Sequence, residues 1–272
     1  MDFPSNYVSH TPDSKGYINY SAEEQAVWRA LFSRQKALLP GRAADAFLNG
    51  LDCLSLNEHE IPQLPDVNAR LKKETGWTVM PVPALISARA FFELLANKQF
   101  PAATFIRRLD SLDYVKEPDI FHEIFGHCPM LTDPIYANFM HAYACLVLKF
   151  PEEDWALLQR LFWFTVEFGL IKTDVGLRAY GGGILSSIRE TVYSVESQEP
   201  LRVLFDPVAA FRTPYRIDRL QPVYFVIDDY NVLYSLEMKN IQACLAMARS
   251  LGEFPPFFEV DTLNPSIHIH AC

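Results

Sequence analysis

Between Leu161 and Ile171 the chain reads LFWFTVEFGLI, eleven residues with a single charge, Glu167. An amphipathic surface helix shows polar residues at every turn, so this stretch has to be enclosed, and the rest of the chain has to enclose it. A carboxylate carried into such surroundings is strongly disfavoured unless it is paired, protonated or bound to a cation. The feature therefore demands a core built around one polar centre. With 272 residues, 50% of them hydrophobic, the chain has the material for it. No Gly/Ser-rich linker and no internal repeat interrupts the sequence, which favours one domain over two.

Two partners suit Glu167. One is an arginine, with Arg107, Arg178 and Arg189 as candidates. The other is a cation, and the run Pro118-Asp-Ile-Phe-His122-Glu123-Ile-Phe-Gly-His127-Cys-Pro129 supplies ligands for one. Its two histidines are spaced i, i+5, one more than the zinc-peptidase His-Glu-x-x-His pair, and in an α-helix that extra residue rotates the second ring by about 140°. The peptidase reading fails on this geometry. For His122 and His127 to converge on one ion the helix has to loosen at its end, which Gly126 and the position before Pro129 allow. Otherwise the pair is one surface histidine and one hydrogen-bonded core histidine. Two histidines with one carboxylate form the facial triad of non-haem Fe(II) oxygenases, with three coordination positions open. Asp119 and Glu123 compete for the carboxylate role, but Asp119 reads as a dipole-complementing acid in the first helical turn and Glu123 projects about 100° from His122.

Charge and cysteine usage narrow the class. The balance of 24 Lys+Arg against 33 Asp+Glu leaves −9, so no general attraction to nucleic acid or anionic lipid is expected. Cys53, Cys128, Cys145, Cys244 and Cys272 are scattered without a Cys-x-x-Cys pair and read as reduced thiols. With no secretory leader pattern and no run of about 18 apolar residues, a cytoplasmic protein is expected.

The local patterns predict an arm over residues 1–20, then a helix opened by the capping box Ser21-Ala-Glu-Glu24 and stopped by Pro40-Gly41. Further helices are expected at 43–49, 66–75, 88–97 behind Ser87, 118–127, 134–149, 152–168 and 229–250. Strands are expected at 78–80, 103–106 and 223–227. The class is α+β, predominantly helical, with residues 21–272 as one catalytic domain.

Three runs carry a family likeness: Glu117-Pro-Asp-Ile-Phe-His122-Glu-x-x-Gly-His127, Phe162-Trp-Phe-Thr-Val-Glu167-Phe-Gly169 and Ala179-Tyr-Gly-Gly-Gly-Ile-Leu-Ser-Ser187. Together with Pro207 to Pro222 they stand in the order and spacing of the aromatic amino acid hydroxylases, and the chain resembles that family, its bacterial phenylalanine-hydroxylating members above all, from about residue 20 to 250. The resemblance implies that His122, His127 and Glu167 hold Fe(II). It implies that Arg107 clamps a substrate carboxylate, that Trp163 and Phe168 wall a pocket for an aromatic ring, and that Gly183 and Ser186 lie beside the substrate. It places a tetrahydropterin, tetrahydrobiopterin or a relative, against Ala84, Ile86, Ala88, Phe91, Glu123 and Phe162, with Tyr215 on a mobile loop over the site. Read without the resemblance, Arg107 is a surface arginine at the end of an element, and Phe91, Trp163 and Phe168 are core aromatics.

The implied reaction takes L-phenylalanine, O2 and reduced pterin to L-tyrosine. Hydroxylation of tryptophan or tyrosine is the near alternative, and a zinc-stabilised helical interaction domain the distant one. Relative to animal members a threonine is replaced within Tyr114-Val115-Lys116-Glu117 and a tyrosine by Phe162. No regulatory domain or tetramerising helix is expected, leaving a monomer or small homo-oligomer.

Overall fold

The computed structural model describes residues 7–83, 85–234, 236 and 238–256, with the backbone alone at Tyr234, Met238 and Lys239. Helix α1 (Ala22–Lys36) begins at the expected capping box, where the Glu24 N–H donates to Ser21 Oγ at 3.2 Å and the Ser21 N–H to Glu24 Oε2 at 2.7 Å. It buries Val27, Trp28, Leu31 and Phe32. Helices α2 (Asp45–Cys53) and α3 (Leu64–Glu74) follow, the latter turned out by Gly76 at φ +80°.

A βαβ unit comes next. Strands β1 (Thr78–Val82) and β2 (Gln99–Ala103) pair in parallel, joined through α4 (Ala88–Ala96), whose N-cap Ser87 accepts the Ala90 N–H. The strand expected at 103–106 thus stops at its first residue. Beyond it the N-terminal arm takes the polar groups: the Thr104 N–H donates to Ser9 Oγ, the Thr104 hydroxyl to His10 O, and the Tyr20 hydroxyl to Thr104 O. Tyr7 stacks on Phe105 at 4.7 Å.

After a wide helical turn at Phe121–His127 come α5 (Pro134–Val147) and α6 (Glu152–Phe162), the latter running into a second wide turn at Trp163–Glu167. The rest is β3 (Leu170–Thr173), β4 (Gly176–Ala179), α7 (Gly182–Leu185), α8 (Ile188–Glu196), β5 (Leu201–Leu204), α9 (Pro207–Arg212), β6 (Val223–Ile227), α10 (Asn231–Tyr234) and α11 (Met238–Leu251). The sheet order is β4-β3-β6-β5, with β3 antiparallel to β4 and parallel to β6, and β5 parallel to β6. All five residues of β6 are buried, as its unbroken apolar run requires. The helix expected at 229–250 is instead two, because a tight Leu236 N–H to Leu233 O bond closes the first.

Most buried residues form one core around Trp28, Trp77 and Phe125; a smaller cluster holds Trp163, Phe164, Tyr215 and Phe225. Phe168 packs against both, and the polar centre lies where they meet.

Candidate metal centre and active-site cleft

The two wide turns solve the spacing problem. In Phe121–His127 the backbone bonds span five residues, as from the Cys128 N–H to Glu123 O at 3.3 Å, so i and i+5 fall on one face. The widening is not confined to the end of the helix, as the sequence suggests, but runs through the whole segment. Three of its side chains, Phe121, Ile124 and Phe125, are in the core, and Phe121 stacks on Phe125 at 4.7 Å. His122 and His127 then face each other, Nε2 to Nε2, at 3.0 Å. The same geometry recurs at Trp163–Glu167, where the Phe168 N–H donates to Trp163 O at 2.9 Å. It delivers a Glu167 oxygen 3.3 Å from His127 Nε2 and the other 3.7 Å from His122 Nε2.

This donor set fits a divalent cation. Two ligands held by bonds of about 2.1 Å at a right angle stand about 3.0 Å apart. The tautomer of His122 follows from its neighbour. The Ser186 hydroxyl donates to Gly182 O at 2.8 Å, so it accepts from His122 Nδ1 at 2.9 Å, which leaves Nε2 a bare lone pair. Burial, reinforced by His127 and only partly opposed by Glu167, pushes His122 down to about 4, so the ring is neutral. His127 Nδ1 is buried with no partner among the described residues.

A Glu123 oxygen also lies within 4.8 Å of the imidazole nitrogens, so distance alone admits two acids. Their surroundings shift them in opposite directions, and only one of them lines the cleft. Burial and the nearby Glu167 and Asp119 push Glu123 well above the carboxylate range. Burial acts the same way on Glu167 but is outweighed by His127 above all and by the Gly183 N–H, which hold it below its ordinary value. Glu167, which lines the cleft beside His122 where Glu123 does not, is therefore the better-placed ligand candidate.

Glycines let α7 approach both turns. A Cβ on Gly182 would stand 2.4 Å from the His127 ring, and one on Gly183 3.0 Å from Glu167 Oε2. The first contact admits only hydrogen, and the second would push the Glu167 and Phe168 side chains back.

Glu167 pairs with none of the three arginines. Arg178 donates to the Leu177 and Val175 carbonyls, and Arg107 is held by Asp119. That pair is bidentate, Nε to Oδ2 and Nη2 to Oδ1 both at 2.8 Å, and Asp119 also accepts the Arg107 and His122 backbone N–H groups. Asp119 is thus a fully buried counter-ion and, through the His122 N–H, also the acid that caps the start of the helix, one position ahead of its first turn. Burial raises its pKa, but Arg107 and the backbone donors hold it below the ordinary value. Sequence spacing gave no signal for this pair, because extended backbone and a loop separate its members.

A cleft of about 600 Å³ opens over the centre, lined by Arg107, His122, Trp163, Glu167, Phe168, Gly183 and Ser186, with Tyr114–Glu117 and Ile217–Leu220 at its sides. A smaller pocket shares Trp163 and Glu167 with it and adds Phe91, Phe92, Gln159, Phe162 and Tyr215. Phe91 meets Phe162 edge-on at 5.3 Å. Tyr215 is buried, stacked on Trp163 at 4.2 Å. Ile86, Ala88 and Glu123 line neither cavity, and Ala84 is outside the described residues. Sequence reasoning passed over Gln221 and Glu190, which hold the Trp163 side of the cleft; neither belongs to a chemical motif.

Residues 4–256 match the family described as biopterin-dependent aromatic amino acid hydroxylase. The chain is 52% identical over 254 residues to a phenylalanine-4-hydroxylase of Pseudomonas aeruginosa, covering 93% of this chain and 97% of that one. A solved phenylalanine hydroxylase from Legionella pneumophila superposes with a TM-score of 0.91 at 67% identity, over 93% of this chain and 100% of the other. The Chromobacterium violaceum phenylalanine hydroxylase structure with bound iron(III) and 7,8-dihydrobiopterin superposes at 0.84 with 39% identity, over 93% of each chain.

Proposed function

Because the chain belongs to the biopterin-dependent aromatic amino acid hydroxylases, we propose that it is a phenylalanine 4-monooxygenase, converting L-phenylalanine to L-tyrosine with O2 and a tetrahydropterin. The observation that carries the reading is the convergence of His122, His127 and Glu167 within 3.0 to 3.7 Å of one another at the floor of a cleft. When bound, ferrous iron and the reduced pterin supply O2 activation and the two reducing electrons.

The chain's own work is positioning. His122, His127 and Glu167 would hold the metal from one side and leave it open toward the cleft. Ser186 holds His122 in its ligating tautomer. Arg107, immobilised by Asp119, offers its remaining donors to the substrate carboxylate, so the amino acid enters with one end fixed. Trp163 and Phe168 orient the ring toward the metal, and Phe91 with Phe162 forms the aromatic side of the pterin pocket.

No helix among the described residues is long and apolar enough to cross a membrane. The reading takes the enzyme to be cytoplasmic and a monomer or small homo-oligomer. Its test is tyrosine formation by purified protein with each of Fe(II), reduced pterin and O2 omitted in turn. Product that needs all three supports it; stoichiometric zinc with no pterin-dependent product, or a hydroxylated product from tryptophan or tyrosine only, overturns it.

A further inference from the structure

Trp163 stands between the two cavities and lines both. Its faces are covered: Tyr215 stacks on the indole at 4.2 Å and 16°, and Phe168 packs at 4.6 Å and 34°. Stacking confines a ring between planes but resists rotation within its plane only weakly, because dispersion has little directionality. That rotation sets how far the indole reaches into each cavity. The directional contact is at the ring's edge, where Nε1–H donates to Gln221 Oε1 at 3.1 Å. Gln221 is 1% exposed, and its amide donates to Arg216 O at 2.8 Å and Arg219 O at 3.2 Å. Its backbone N–H donates to Glu190 Oε1 at 3.0 Å, and the Tyr224 hydroxyl donates to the same oxygen. One fully bonded amide thus ties the cleft side Ile217–Leu220 to the wall between the cavities.

We infer that Gln221 is a positioning residue, which sets the in-plane orientation of Trp163 and through it the depth of the aromatic slot and its preference for a phenyl over an indole ring. The role rests on the hydroxylase reading above. Gln221→Leu keeps the bulk and removes the acceptor, together with the donors to Arg216 O and Arg219 O. It is expected to raise KM for phenylalanine about tenfold with a smaller change in kcat, and to narrow the preference for phenylalanine over tryptophan. In a Trp163→Phe background, which has no indole N–H to orient, the same substitution should cost clearly less, since only the bonds to the Arg216 and Arg219 carbonyls are left to lose. Unchanged KM and preference, or equal losses in both backgrounds, overturns the inference.

A second measurement needs no turnover. The Trp163 indole N–H resonance, assigned by its loss in Trp163→Phe, is expected to exchange slowly in the wild-type protein and to move upfield in Gln221→Leu. Rapid exchange in the wild type overturns the inference even where the leucine variant fails to fold, as does an unmoved resonance where it folds. Absence of tyrosine formation by the wild type, with that resonance behaving as expected, counts against the hydroxylase reading and not against the Gln221 to Trp163 bond.

Discussion

Replacing Ser186 with alanine removes one hydroxyl from behind His122 and leaves the three proposed donors in place. That hydroxyl accepts from His122 Nδ1 at 2.9 Å and donates to Gly182 O at 2.8 Å. Without it the Nδ1–H loses its acceptor, and the ring is free to take the other tautomer, whose protonated Nε2 cannot bind a cation. Leaving such a group unsatisfied costs about 1–3 kcal/mol. Outer partners of metal-bound histidines contribute about 10- to 100-fold in affinity, or about 1.4–2.7 kcal/mol. The two routes agree. Anaerobic titration of the metal-free protein with Fe(II), or with Co(II) as an air-stable probe, should give a Kd raised about 10- to 100-fold. The fold should survive, which circular dichroism checks. A Kd unchanged from wild type in a folded variant would refute the tautomer argument, and so would a loss confined to the melting temperature.

Three further outcomes are expected. Asp119→Ala leaves the Arg107 guanidinium buried without its counter-ion and should cost about 3–5 kcal/mol in urea denaturation, besides raising the phenylalanine requirement; a loss under 1 kcal/mol counts against the buried pair. Burial raises Glu190 to about 7, so the folded state prefers its protonated form, and that contribution is complete below the unfolded value and lost as pH rises through 7. Glu190→Gln keeps an oxygen for Tyr224 and Gln221 and should flatten the fall in stability between pH 5 and 8, by on the order of 3 kcal/mol, as read from urea midpoints at the two pH values. Gly182→Ala drives a Cβ into the His127 ring, 2.4 Å away, and should abolish tight Co(II) binding; retention of wild-type affinity shows that the ring can move without cost.

Elements whose signals are local can be read from residue order alone. Ser21 and Ser87 cap the helices they were expected to cap, and Val223–Ile227 is the buried strand its apolar run announced. A lone acid in an apolar run and two histidines nearby were enough to nominate three donors, because burying an unpaired charge costs too much to occur without a purpose.

How the donors meet depends on packing between distant segments. Hydrogen-bond spacing within a helix is not written in residue type: an α-helix would turn His127 away from His122, and packing imposes the wider turn instead. Gly126 lies where a Cβ would come within 2.8 Å of Gly182 O, and Asp119 holds the start of the turn while gripping Arg107. Neither contact leaves a periodicity to read. The short strands β3, β4 and β5 were missed for the same reason, since each is stabilised by partners distant in the chain. Gln221 shows it most plainly: a glutamine in a loop has no local pattern, and its role exists only because folding brings an indole N–H 3.1 Å from its side-chain oxygen.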